Sequence, residues 1–164
     1  MTNLSINNAT RVSLPQPFIG RHLIDGQWVD SSETFERASP SHVQVVSVNA
    51  MGGEAETQQA IAAARRAFDS GIWNRITGKE RAAILLRVAE LIEANVERIA
   101  LQETLESGKP VTQSRAEVSG AADLWRYAAA LARTTHGDSH DTLGDDMLGM
   151  VLKQAIGVVS IITP

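Results

Sequence analysis

A helix-rich α/β fold is what the sequence predicts, with small antiparallel strands ahead of the helices and a buried-type parallel strand after them. Three observations carry this expectation. Asp25-Gly26 separates two short strand-like runs, His22-Leu23-Ile24 and Gln27-Trp28-Val29, and that dipeptide between such runs is the strongest local hairpin signal. Between residues 54 and 135, apolar side chains recur every three or four positions, the spacing that lines one face of a helix. Gly157 to Thr163 is a continuous apolar run rich in β-branched residues, as in a strand covered on both faces.

The elements follow in order. Residues 1–17 are polar and end near Pro15 and Pro17, so an arm over residues 1–20 is expected, loose or lying along a neighbour. After the hairpin, Ser39-Pro40-Ser41 makes a turn and Val43 to Val48 a further extended segment, giving way to helix at Gly52-Gly53. The first helix runs from Glu54 to Asp69, with Thr57, Ala60, Ile61, Ala64 and Phe68 on one face, and Gly71 caps it. The second begins near Lys79 and turns Ile84, Leu85, Val88, Leu91 and Ile92 inward. Asn95 reads as the N-cap of a third helix, which Gly108 and Pro110 close. A fourth runs from about Thr112 to Thr135, burying Val118, Ala121, Ala122, Trp125, Ala129 and Ala132, with Gly137 just beyond its end. Met147 to Gln154 is then extended.

Composition limits function. The 164 residues carry 15 Lys and Arg against 19 Asp and Glu, a formal net charge of -4. A chain with no positive excess is a poor match for nucleic acid or an anionic membrane surface. No apolar run has the length of a signal peptide core or a membrane span, and a cytoplasmic location is expected. The sequence contains no cysteine, which removes disulfides, thiolate metal sites and thiol nucleophiles.

Familiar site motifs fail. No Gly-x-Gly-x-x-Gly occurs, and Gly78-Lys79 lacks the earlier glycine and following hydroxyl residue of a phosphate loop. His136 and His140 stand four apart, but Gly137 interrupts any helix between them, so the segment reads as an exposed polar turn. The charged helix residues, among them Arg65, Arg66, Arg87, Glu90, Glu93, Glu97 and Arg98, read as solvated faces. Trp28, Trp73 and Trp125 read as core or interface aromatics.

Three segments carry a resemblance, and they occur in a telling order. Ile24-Asp25-Gly26-Gln27-Trp28-Val29 resembles the hairpin near the start of aldehyde dehydrogenases, followed by Ser39-Pro40 where that family has Asn-Pro. Glu103 to Pro110, reading ETLESGKP, is similar to the family's motif at a helix end, with Arg126-Tyr127 matching a downstream Arg-Tyr pair. Ile156 to Pro164 resembles the strand leading into the family's T-P-W-N-F-P. Ala155, where proline is usual, and Ala128-Ala129, where a second aromatic is common, depart from the pattern.

The resemblance implies an α/β fold that is the N-terminal part of a Rossmann-like cofactor domain. Within it, 1–20 would be the arm, 21–140 the hairpin and helices of the NAD(P)-binding domain, 141–156 an oligomerisation strand segment and 157–164 the first strand of the sheet. It implies oxidation of an aldehyde to a carboxylic acid with NAD or NADP, through a cysteine thiolate, an oxyanion-holding asparagine and a glutamate base. All three lie beyond the segment matched here, so no catalytic residue is assigned to this chain, and it is expected to be a fragment inactive by itself. A truncated, noncatalytic assembly module is the alternative.

Ile162, Thr163 and Pro164 are the residues at which the resemblance implies approach to the dinucleotide, in keeping with ligand binding at strand C-termini; the alternative for Ile162 is a core position. Glu106, with the main-chain carbonyls of Arg37 and Ala38, matches the family's monovalent cation site for potassium or sodium, the alternative being an exposed glutamate near a helix end. Gly120, Leu124 and Trp125 match a helix bordering the aldehyde entrance. The partners implied are an aldehyde substrate and further copies of the chain, as a homodimer or homotetramer.

Overall fold

A computed structural model of the chain describes residues 14–142 and 144–163. The hairpin forms as its turn chemistry requires. Strands β2 (His22–Ile24) and β3 (Gln27–Val29) pair antiparallel, Leu23 opposite Trp28, and Asp25 and Gly26 both take positive φ, 53° and 73°. That is the conformation a two-residue turn between right-twisted strands demands, and glycine reaches it without steric cost.

A three-stranded sheet lies beside it. The central strand is β5 (Val45–Ala50), flanked by β1 (Phe18–Gly20) in parallel and β4 (Thr34–Ala38) antiparallel. The β1 pairing corrects the expected arm: residues 18–20 belong to the sheet, Ile19 opposite Val48. Most of the remaining arm, 1–13, lies outside the described residues. A bulge falls between Arg37 and Ala38. β5 supplies the buried part of this layer through Val46 and Ser47.

Four helices follow: α1 (Glu54–Ser70), α2 (Gly78–Ala94), α3 (Val96–Ser107) and α4 (Val111–Thr134). Each start and stop has a local cause. Thr77 caps α2 by accepting from Glu80 N, while the Glu80 carboxylate accepts from Thr77 N at 2.7 Å, a reciprocal capping box. Gly71 and Gly108 end α1 and α3 in the left-handed conformation. Asn95 departs from expectation: its side chain makes no cap bond to α3 and instead donates to Leu91 O at 2.8 Å, closing the end of α2.

The buried faces are narrower than periodicity suggests. α2 and α4 pack most extensively and α3 packs on α4 as well; the buried side chains are Ala82 and Ala89 on α2 and Ser114, Val118, Ala122 and Ala129 on α4. Small residues let the backbones approach, so the contact line follows the alanines; Ile84 and Leu91, expected inward, are each 48% exposed. On α1 only Ala63 is buried, and Ile61 faces outward. None of Trp28, Trp73 and Trp125 is buried, which corrects the core half of their reading.

After α4 the chain makes a minimal hairpin, β6 (Ser139–His140) with β7 (Gly149–Met150). Gly137 does not cap α4, whose end at Thr135 is extended; a Cβ there would strike the Val151 carbonyl, and that close approach is its role. Of the expected Met147–Gln154 strand, Gly149–Met150 forms β7, and Val151 N donates to Asp138 O at 2.8 Å just past it. Gly157 to Thr163 forms no strand at all, being exposed from Val158 onward and without a hydrogen-bonded neighbour among the described residues. A strand needs partner N–H and C=O groups and cover on both faces, and nothing described here supplies them.

Candidate functional site

The junction of α3 and α4, the ETLESGKP segment, is the most tightly held of the sequence-predicted positions. Gly108 turns the chain at φ 77°, and a Cβ there would sit 2.7 Å from Pro40 Cγ. The end of α3 thus rests on the turn that follows β4, and any side chain at 108 would lift it off. Across the junction, the Thr104 and Ser114 hydroxyls hydrogen-bond at 2.9 Å, with Ser114 fully buried.

Lys109 fastens the same turn from outside. Its Nζ lies 2.8 Å from Glu103 Oε1 and 2.6 Å from Glu117 Oε2, so one ammonium bridges α3 and α4. The hydrogen bond to Glu103, then that to Glu117, holds the Lys109 pKa above its ordinary value. Glu117 is held below its own, first by Lys109 and then by Gln113. Two further ion pairs tie the helices: Arg115 to Glu97 at 2.7 Å and Arg126 to Glu93. The guanidinium in each case holds the carboxyl below its ordinary pKa.

Glu106 lies in the last turn of α3, half-buried, and Gln102 Nε2 donates to its Oε1 at 2.5 Å. Arg37 and Ala38 end β4 at the bulge, opposite Ser47 and Val45, with exposed side chains. The Gly108 contact with Pro40 therefore brings the α3 end beside the turn two residues past Ala38. That nearness is all the geometry offers for these three residues together.

The cofactor segment is different. Ile162 is 92% exposed and Thr163 is exposed; Pro164 lies outside the described residues. The core alternative for Ile162 is not what the structure has. A dinucleotide needs an enclosing cleft, and Ile162 and Thr163 stand on a bare segment with no facing element, so by themselves they do not fit it. Gly120, on α4, has open space around it, and Leu124 and Trp125 beside it are exposed.

Other sequence candidates are dispersed. His136 Nδ1 lies 2.6 Å from Thr134 O, and His140 is opposite Gly149 in the small hairpin. Among the described residues no three His, Cys, Asp or Glu side chains gather as a metal site would require, and no helix is long and apolar enough to cross a membrane. The Lys109 bridge was missed in sequence reasoning. Its partners stand six residues before and eight after it, and the only signal was the change of helix between them.

Comparison with known proteins connects these pieces. The sequence profile of the aldehyde dehydrogenase family matches residues 28–164. Aldehyde dehydrogenase family 2 member C4 of Arabidopsis thaliana is 36% identical over 167 residues, covering 100% of this chain and 33% of that protein. Betaine aldehyde dehydrogenase of Bacillus subtilis is 35% identical, over 86% of this chain and 29% of that protein. Among solved structures, an NAD-dependent aldehyde dehydrogenase from Sinorhizobium meliloti superposes with a TM-score of 0.78 at 43% identity, covering 82% of this chain and 27% of that one. A betaine aldehyde dehydrogenase from Staphylococcus aureus, solved in complex with NAD+, gives 0.72 at 33% identity over 77% of this chain and 26% of that one. The chain thus spans about a third of the length of the curated relatives it matches. With residues 28–164 matched by the family profile, and most of the chain matched in sequence and in space, the chain belongs to the aldehyde dehydrogenase family.

Proposed function

We propose that this chain is the N-terminal portion of an NAD(P)-dependent aldehyde dehydrogenase that oxidises an aldehyde to a carboxylic acid. The observation that carries the reading is the end-to-end match to a plant aldehyde dehydrogenase, 36% identical across the whole chain yet covering 33% of that protein. The absence of cysteine from the sequence puts the thiolate step outside these residues. Their part is architectural: the hairpin, the α2–α4 pair and the Lys109-bridged junction form the frame on which later elements would pack.

Residues 21–140 would belong to the cofactor domain, 141–156 to an oligomerisation segment in a homodimer or homotetramer, and 157–164 to the first strand of the cofactor sheet. In that sheet Ile162, Thr163 and Pro164 would line the cofactor's approach at the strand end. The exposure of the segment supports this, because an apolar β-branched run is stable only when covered. The reading includes a cytoplasmic location.

Glu106 with the Arg37 and Ala38 carbonyls would hold potassium or sodium. A carboxylate together with main-chain carbonyls would be a hard-oxygen set suited to such an ion. Gly120, Leu124 and Trp125 would border the aldehyde entrance, and the open space at Gly120 would admit larger aldehydes.

The test is the reading frame past Pro164. Continuation into Trp-Asn-Phe-Pro, and later a cysteine and a glutamate whose removal abolishes aldehyde-dependent NAD(P)H formation, is the expected result. A stop codon directly after Pro164 would overturn it in favour of a noncatalytic assembly module.

A further inference from the structure

The contact between α2 and α4 leaves a groove of about 380 Å³. Its floor is made of side chains too small to fill it: Ala82, Ala83, Ala129 and Ala130, with Leu86 as the one large apolar wall. The helices come this close because Gly78, at the start of α2, has no Cβ to strike the Ala132 carbonyl near the end of α4. Its volume lies within the range of about 300–1,000 Å³ usual for small-molecule sites.

Charge around the groove is one-sided. Its polar lining consists of three cations, Lys79, Arg126 and Arg133, and no carboxylate. Arg126 is committed to Glu93. Lys79 and Arg133 make no hydrogen bond or ion pair through their side chains among the described residues, and they stand at the same end, where the start of α2 meets the close of α4. An apolar trough with two uncompensated cations at one end is complementary to a molecule with an anionic head and an aliphatic tail. From Lys79 to Leu86 the helix advances by about 10 Å at its usual rise, a length that a tail of about eight carbons spans.

We propose that this groove binds an aliphatic carboxylate of about eight to ten carbons, head between Lys79 and Arg133, tail on the alanine floor. The site is separate from the ETLESGKP junction and from 157–163, and it does not depend on the aldehyde reaction.

The probe is decanoic acid carrying a diazirine at its tail, photolysed with the polypeptide extended through its downstream frame and mapped by peptide mass spectrometry. Labelling should concentrate on peptides from α2 and the second half of α4, and unlabelled decanoate should displace it. Decanol, of equal length without charge, should need at least tenfold more. Lys79→Glu with Arg133→Glu should cut labelling at least tenfold, as should Ala83→Leu, which fills the floor at an exposed position and leaves both charges in place. Arg66→Glu, on α1 and outside the groove lining, should leave labelling unchanged. Labelling spread evenly along the chain, equal displacement by decanol, or undiminished labelling in Ala83→Leu would overturn the proposal.

Discussion

Gly78→Ala and Gly120→Ala are the same chemical change made in two helices, and the structure predicts opposite signs for them. In a helix interior, alanine is more stable than glycine by about 0.5–1 kcal/mol because it gives up less backbone entropy. At Gly120 nothing lies within 4 Å of the added Cβ, so that gain should appear almost whole. At Gly78 the Cβ would collide with the Ala132 carbonyl oxygen and lie 3.3 Å from Arg133 Cα. Those are backbone atoms, which no rotamer change can move. α2 and α4 must separate, opening the contact that buries Ala82, Ala89 and Ala129, and overpacking of this kind costs about 1–3 kcal/mol. Because Gly78 is the first residue of α2, little of the helix-interior gain offsets this, and the net expectation is a loss of about 1–3 kcal/mol for Gly78→Ala. Urea unfolding followed by far-ultraviolet circular dichroism reads both variants, since 1 kcal/mol moves the midpoint by roughly 0.5 M at a slope of about 2 kcal/mol/M. Midpoints that shift the same way for both would refute the close approach at Gly78.

Three further outcomes follow. Val43 is β-branched, 84% exposed and held at φ 53°, a conformation costing about 1–2 kcal/mol in a residue of this kind; Val43→Asn should therefore raise the urea midpoint, and a lower midpoint would show that the turn needs valine. The backbone hydrogen bond from Thr77 holds the Glu80 carboxyl below its ordinary value of 4.5, so its contribution is present above that value and lost as pH falls through the lower folded-state value. Glu80→Gln should accordingly be less stable than the parent at neutral pH and equal to it in strong acid, as measured by urea midpoints at both; a constant difference would remove the carboxylate from the cap. Glu106→Ala in the longer polypeptide should abolish any rise in stability on replacing a bulky organic cation by potassium, whereas an unchanged potassium response would make Glu106 an ordinary helix-end carboxylate.

Local chemistry explains what could be read in advance. Asp25-Gly26 specifies its own turn, and Gly71 and Gly108 stop their helices within a few residues of themselves. What escaped reading depends on distant partners. Phe18–Gly20 becomes a strand only because Ser47–Asn49 lies alongside, and three residues beside two prolines carry no periodicity. The α2 face was displaced by one position because bulk was weighted over approach: alanines lie at the contact and Ile84 outside it. Gly157–Thr163 has the composition of a buried strand but no partner among the described residues, which composition alone does not reveal. The Glu106, Arg37 and Ala38 set came from resemblance, since no spacing rule links a helix end to carbonyls about seventy residues earlier.

The most direct measurement is aldehyde-dependent NAD(P)H formation by residues 1–164 beside the same polypeptide extended through its downstream frame, with molecular mass followed by light scattering. On the proposed function, nucleophile, base and oxyanion donor lie outside this segment, where no cysteine exists. Ile156, Ile161 and Ile162 are more than four-fifths exposed, a surface that invites association. The predicted result is turnover by the extended polypeptide alone, with the 164-residue chain inactive and self-associated. Aldehyde-dependent turnover by a pure, monodisperse 164-residue chain would contradict it.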